Sequence, residues 1–175
     1  MSFRSILART NLALSRSLLQ RLRPCTVQSR NLNLQEYQSK DLMRQNGVTV
    51  QKFIAVDSLD DVNQILDDQH SELFNCKEYV IKAQVLAGGR GKGHFLNSKL
   101  QGGVKLTKDK SQLKPISSQM LNDYLVTKQT TQKGEFVRKV MIAEALDIEK
   151  EFYLAILLDR NAGGPLLVAS KEGRI

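Results

Sequence analysis

The chain has 175 residues, 26 lysines and arginines against 18 acids for a net charge of +8, and 41% hydrophobic residues. Those figures exclude a disordered acidic tail, a collagen-like repeat and a low-complexity polymer. A chain of this length makes about one domain and buries roughly two thirds of its unfolded surface, so it needs no disulfide or metal staple. Cys25 and Cys76 form no ligand-like cluster and fit a reducing compartment. The longest apolar run, Phe152 to Leu158, is seven residues; a membrane span needs roughly 18, and none is expected.

Residues 1–30 carry six arginines, five serines, no lysine and no acid. Phe3, Leu7, Leu14, Leu18 and Leu22 recur at helical spacing, which would gather them on one face with arginines around it. An Arg-rich, Ser-rich and acid-free leader reads as a mitochondrial transit peptide, drawn inward by the membrane potential. The other reading is a basic amphipathic arm for RNA or lipid. Without that segment, residues 31–175 hold 20 bases against 18 acids. The basic balance therefore belongs to the leader.

Beyond the leader, Asn33 is the expected cap of a helix carrying Leu34, Tyr37, Leu42 and Met43, which Gly47 would end. Val48–Val56 reads as a strand. Ser58, with Asp61 three residues on, predicts a capped helix to about Gln69 with Leu59, Val62, Ile65 and Leu66 as its apolar stripe. Tyr79–Leu86 reads as a second strand, followed by a glycine-rich stretch from Ala87 to Gly103 and a short strand over Val104–Thr107. A helix is predicted around Ser111–Leu121, with Pro115 in its first turn. Val137–Leu146, Glu151–Leu158 and Pro165–Ala169 read as three strands, the last two joined by a turn at residues 161–164. Strands with interspersed helices make an α+β or α/β domain. With nothing following the last strand, Leu166, Leu167 and Val168 are expected to be partly bare.

The segment from Lys82 to Gly93 places Gly88, Gly89, Gly91 and Gly93 with Lys82, Arg90 and Lys92 on and after a strand. Glycines let successive backbone N–H groups turn toward an anion, and the cations add charge, so the segment is a candidate phosphate cradle. It is neither of the two common phosphate motifs. Gly88 and Gly93 have Walker A spacing but are followed by His94 and Phe95; a dinucleotide fingerprint fails because His94 stands where its third glycine belongs. A solvated basic loop is the alternative reading of the bare pattern.

The loop belongs to a longer series. Asn33-Leu-Gln-Glu-Tyr-Gln-Ser-Lys40, Val80 through Gly93, Thr127-Lys-Gln-Thr130, Glu144-Ala-Leu-Asp-Ile148 and Tyr153-Leu-Ala-Ile156 together resemble the mitochondrial succinate–CoA ligase β-subunit family. The resemblance runs from about residue 31 to residue 173. It implies an α+β ATP-grasp fold, incomplete here, over residues 31–175, in which two lobes close on a nucleotide, and an α-subunit partner in the mitochondrial matrix. It also implies the reaction succinyl-CoA + phosphate + GDP giving succinate + CoA + GTP, in the citric acid cycle.

By the same resemblance Lys82 and Gly89-Arg90-Gly91 hold the nucleotide phosphates, the loop folding over them as a lid. A lysine snorkelling from an edge strand is the other reading of Lys82. Glu144, Leu146, Asp147 and Glu151 match positions that receive base and ribose, while Glu149 and Lys150 read as solvated charges. ATP-forming members have proline where this chain has Gln51, and GDP-forming members have glutamine; a carboxamide can donate to guanine O6. The resemblance therefore favours GDP/GTP over ADP/ATP. Asp147 and Glu78 are further specificity candidates, although Glu78 also reads as a solvated loop acid and Gln51 as an outward strand residue.

No catalytic residue and no metal ligand is expected in this chain. In the family the phosphoryl group travels on a histidine of the α subunit, and the Mg2+ ligands lie past Ile175, so a chain ending here is expected to lack turnover. His70 and His94 read as surface histidines. An RNA-binding role is disfavoured by the low charge of residues 31–175 and the lack of an aromatic RNP-like strand. Neither a nucleic acid nor a membrane is an expected partner.

Overall fold

A computed structural model describes residues 33–161 and 163–173; the predicted transit peptide lies outside them. Helix α1 (Glu36–Gln45) comes first, followed by β1 (Phe53–Val56), α2 (Leu59–Asp67) and β2 (Tyr79–Gln84). Two short strands, β3 (His94–Phe95) and β4 (Val104–Thr107), precede α3 (Leu113–Met120). The remainder is β5 (Tyr124–Val126), β6 (Glu135–Phe136), β7 (Lys139–Glu144), β8 (Tyr153–Asp159) and β9 (Gly164–Ser170). No described helix is long and apolar enough to cross a membrane.

The main sheet has the order β1-β7-β2-β4, every neighbouring pair antiparallel. Lys82 stands opposite Met141 on one side and Val104 on the other, so it lies within the sheet and not at its edge. Side chains alternate along β2. Tyr79, Ile81 and Ala83 enter the main core with Val62 and Ile65 of α2 and Leu113 and Met120 of α3. Val80 points the opposite way, packing with Phe53, Met141 and Ala143 against Tyr37 of α1. Lys82 and Gln84 share that second face by the same period of two.

Local chemistry explains where elements begin. Ser58 Oγ accepts the Asp61 N–H at 3.1 Å and the Asp61 carboxylate accepts the Ser58 N–H at 3.2 Å, the reciprocal cap predicted for α2. At α1 the cap is Gln35 and not Asn33: the Gln35 N–H donates to Gln38 Oε1 at 2.9 Å. Gly47 does end that helix, at φ +76°. The expected apolar stripe is only partly used, because Leu34, Leu42 and Met43 are exposed while Tyr37 packs on the sheet.

The expected strand Val48–Val56 begins only at Phe53. Its partner β7 ends at Glu144, whose N–H donates to the Lys52 carbonyl at 3.0 Å, so residues before Lys52 have no ladder to join. The three-stranded sheet β3-β5-β6 has no counterpart in the predicted elements. In the β8–β9 hairpin, Leu154, Ile156, Leu158 and Leu167 are exposed, as are Leu166 and Phe152; Val168 is half-buried.

Candidate functional site

Gln84 organises the face of the sheet under α1. It is fully buried, and its Oε1 accepts the Tyr37 N–H at 3.2 Å while its Nε2 donates to the Lys82 carbonyl at 3.1 Å. Its own carbonyl accepts Gln35 Nε2 at 3.2 Å. The residues on either side of Glu36 are thus fastened to β2.

Glu36 then meets the two cations singled out in the sequence. Lys82 Nζ donates to Glu36 Oε1 at 2.9 Å and Arg90 Nη2 to Glu36 Oε2 at 2.6 Å. A third cation, Lys40, lies 3.3 Å from Glu36 Oε1. The other terminal nitrogen of Arg90 donates to the Ala83 carbonyl at 2.7 Å. Burial alone would raise the Glu36 pKa, but hydrogen bonds and charge from Arg90 and Lys82 outweigh it and bring the carboxyl from 4.5 to about 2. Burial lowers the Lys40 pKa, against the pull of Glu36 and with the push of Lys82 and Arg90.

The glycine-rich segment is hydrogen-bonded along much of its length. Gly89 turns the chain at φ +71° into a short 3-10 turn over Arg90–Lys92. The Arg90 carbonyl accepts the N–H groups of Gly93 at 3.1 Å and Gly103 at 2.8 Å, and Gly88 N–H donates to Gln129 Oε1 at 2.6 Å. Its glycines differ in the room around them. A Cβ on Gly93 would lie 2.5 Å from the Val126 carbonyl oxygen, so this glycine is required by packing, and one on Gly103 would press at 2.8 Å on a Leu125 methyl. A Cβ on Gly89 or Gly91 would meet nothing within 4 Å. Those two glycines border open space, where a ligand could approach the backbone.

Two adjoining clefts hold most of the other predicted residues. Gln51, Lys82 and Leu146 line the first, about 250 Å3, with Val80, Leu106 and Ile148 as its apolar walls. Glu78, Glu144, Asp147 and Leu146 line the second, about 320 Å3. Gln51 is engaged already: its Nε2 donates to the Glu144 carbonyl at 2.6 Å and its Oε1 accepts from Lys40. Glu151 is not among the residues lining either cleft; it is exposed and lies against Gly173. His70, His94, Glu149 and Lys150 are exposed.

No group of three or more His, Cys, Asp or Glu side chains able to hold a metal occurs among the described residues. Sequence reasoning passed over Glu36, Lys40 and Gln84. The one available signal was the polar glutamine at the end of an apolar strand, which marks a buried hydrogen-bonding role.

Such an arrangement can take a phosphorylated ligand: cations converge on Glu36, and Lys82 among them also lines a cleft with apolar walls. The chain is 54% identical over 144 residues to the human GDP-forming succinate–CoA ligase β subunit, mitochondrial, covering 82% of this chain and 32% of that protein. It is 49% identical over 172 residues to the corresponding protein of Sus scrofa, covering 98% of this chain and 37% of the relative. A mitochondrial ADP-forming β subunit from Solanum lycopersicum is 45% identical over 146 residues, 83% of this chain and 34% of the relative. The chain thus spans about a third of the length of these relatives. The ATP-grasp domain matches residues 33–175, and the chain belongs to the ATP-grasp family.

Proposed function

We propose that this chain is the nucleotide-binding portion of a succinate–CoA ligase β subunit that uses GDP/GTP. The reaction is succinyl-CoA + phosphate + GDP giving succinate + CoA + GTP, in the mitochondrial matrix and with an α subunit as partner. The observation that carries the reading is the convergence of Lys82 and Arg90 on one carboxylate, beside a cleft that Lys82 itself lines together with Gln51 and Leu146. The similarity to GDP-forming relatives supports the choice of nucleotide.

In this reading Lys82 and Arg90 neutralise the phosphates, and the backbone at Gly89 and Gly91 lies close to them. Leu146 and Ile148 cover the base, and Gln51 offers its remaining amide hydrogen to guanine O6. Glu78, Glu144 and Asp147 accept hydrogen bonds from base or ribose, with Glu151 outside that group. Positioning and charge neutralisation are the whole of this chain's chemical contribution, because phosphoryl transfer asks little covalent chemistry of the protein. Mg2+ would act with the nucleotide phosphates, held through one or two carboxylates and water.

Calorimetric titration of the full-length polypeptide with GDP and ADP, alongside the Lys82→Met variant, tests the proposal. GDP should bind more tightly than ADP, and the variant should lose at least about tenfold in affinity for both, the scale of a charge-assisted hydrogen bond. Tighter ADP binding would reassign the specificity, and unchanged affinity in the variant would remove Lys82 from the site.

A further inference from the structure

We infer that Glu36 is a positioning residue for the phosphate-binding cations: its carboxylate holds Lys82 and Arg90 at a fixed separation before an anion arrives. The inference rests on the phosphate-binding reading of those two side chains. Two cations that must converge on one phosphate repel each other, and a flexible lysine loses rotamer freedom when it is fixed. Glu36 offsets both costs, one oxygen to each cation, at 2.9 and 2.6 Å.

Its placement is dictated by more than those ion pairs. Gln35 and Tyr37 are each bonded to Gln84, two residues along β2 from Lys82 on the same face. The helix start therefore cannot shift without breaking hydrogen bonds to the backbone carbonyl and the side chain of a fully buried residue. Arg90 is held independently by the Ala83 carbonyl, which sets the guanidinium plane. Glu36 is the third member of a frame whose other two are fastened to β2.

The donor inventory separates positioning from mere occupation. Lys82 has three N–H donors and Arg90 five. Within the described residues, Glu36 and Ala83 take one from Lys82 and two from Arg90. The remaining donors let a phosphate bind beside Glu36 without displacing it. With Lys40 included, three cations face one carboxylate, so the cluster keeps a positive surplus that favours an anion.

The decisive experiment compares inorganic pyrophosphate binding to the full-length polypeptide and to its Glu36→Gln, Glu36→Asp and Lys82→Met variants. Glu36→Gln adds a unit of positive charge to the site, so charge alone would tighten binding. Positioning predicts the opposite sign, about tenfold weaker binding, with Glu36→Asp intermediate. The Arg90 Nη–H signals, observed by 15N NMR, should exchange faster with water in Glu36→Gln than in the parent. Equal or tighter binding in Glu36→Gln with an unchanged melting curve overturns the inference. If Glu36→Gln fails to fold, Glu36→Asp decides, since parent-like affinity there is equally fatal. Lys82→Met distinguishes the layers: if it binds pyrophosphate like the parent, the phosphate-site reading itself falls, whereas if it alone loses binding, only the role of Glu36 is refuted.

Discussion

Gln51 bridges a gap that the backbone leaves open: its Nε2 donates to the Glu144 carbonyl at 2.6 Å, one residue past the last ladder bond between β1 and β7. Lys40 donates to the Oε1 of the same carboxamide. Lysine can only donate and a carbonyl can only accept, so the two partners fix which end of the amide faces which. The NH2 group is thereby set at the Glu144 end, where the residues of both clefts meet.

Replacing Gln51 with proline removes that NH2 group together with its tie to Glu144. The change should weaken GDP binding relative to ADP by about 1–2 kcal/mol, the scale of one unmade hydrogen bond. The ratio of the two dissociation constants, measured by calorimetry, isolates the base because the phosphates are common to both ligands. An equal loss for GDP and ADP would remove Gln51 from specificity.

Gly93 and Gly91 predict opposite results. Gly93→Ala puts a Cβ 2.5 Å from the Val126 carbonyl oxygen and should cost about 1–3 kcal/mol of stability, seen as a lower denaturation midpoint. Gly91→Ala meets open space and should change stability by less than about 0.5 kcal/mol. If phosphates lie against that backbone, Gly91→Ala should still lower GDP affinity, and parent-like affinity would place them elsewhere.

Asp123 ties down the loop that follows β3. Its carboxylate accepts the backbone N–H groups of Ser98 at 2.8 Å and Tyr124 at 2.6 Å, as well as Asn97 Nδ2 at 2.8 Å. Burial raises its pKa, but those backbone donors prevail and hold it below the usual carboxylate value. Asp123→Asn turns an NH2 group toward donors and should destabilise the fold by about 1–3 kcal/mol in urea titration.

Acid should loosen α1 through Glu36. Its folded pKa of about 2 is depressed from 4.5, so its contribution to stability is complete above about pH 4.5 and is lost as pH falls toward 2. Unfolding free energy measured across that window should fall less steeply in Glu36→Gln than in the parent. Parallel profiles would mean that the ion pairs contribute nothing to stability.

Much of this arrangement could be read from residue order, and the exceptions share a cause. The Ser58–Asp61 cap, the turn at Gly47 and the strand bearing Lys82 are local patterns, and the fold keeps them. Glu36 and Lys82 are 46 positions apart, and only the packing of α1 on β2 brings them together. The strands β5 and β6 have three and two residues, too few to display alternation. Val48–Gln51 has strand-like composition but no partner, because strand formation depends on the neighbour as much as on the segment.

Helix α1 contains no fully buried side chain, yet Tyr37 covers the patch of Phe53, Val80, Met141 and Ala143 while Gln84 and ion pairs fasten the start of the helix. Its detachment would therefore uncover that apolar patch as well as break the ion pairs, so urea and salt would both promote it. Local fraying of this helix would be followed by amide hydrogen exchange at Ser39 and neighbouring positions, which reads a single segment where a melt reads the whole fold.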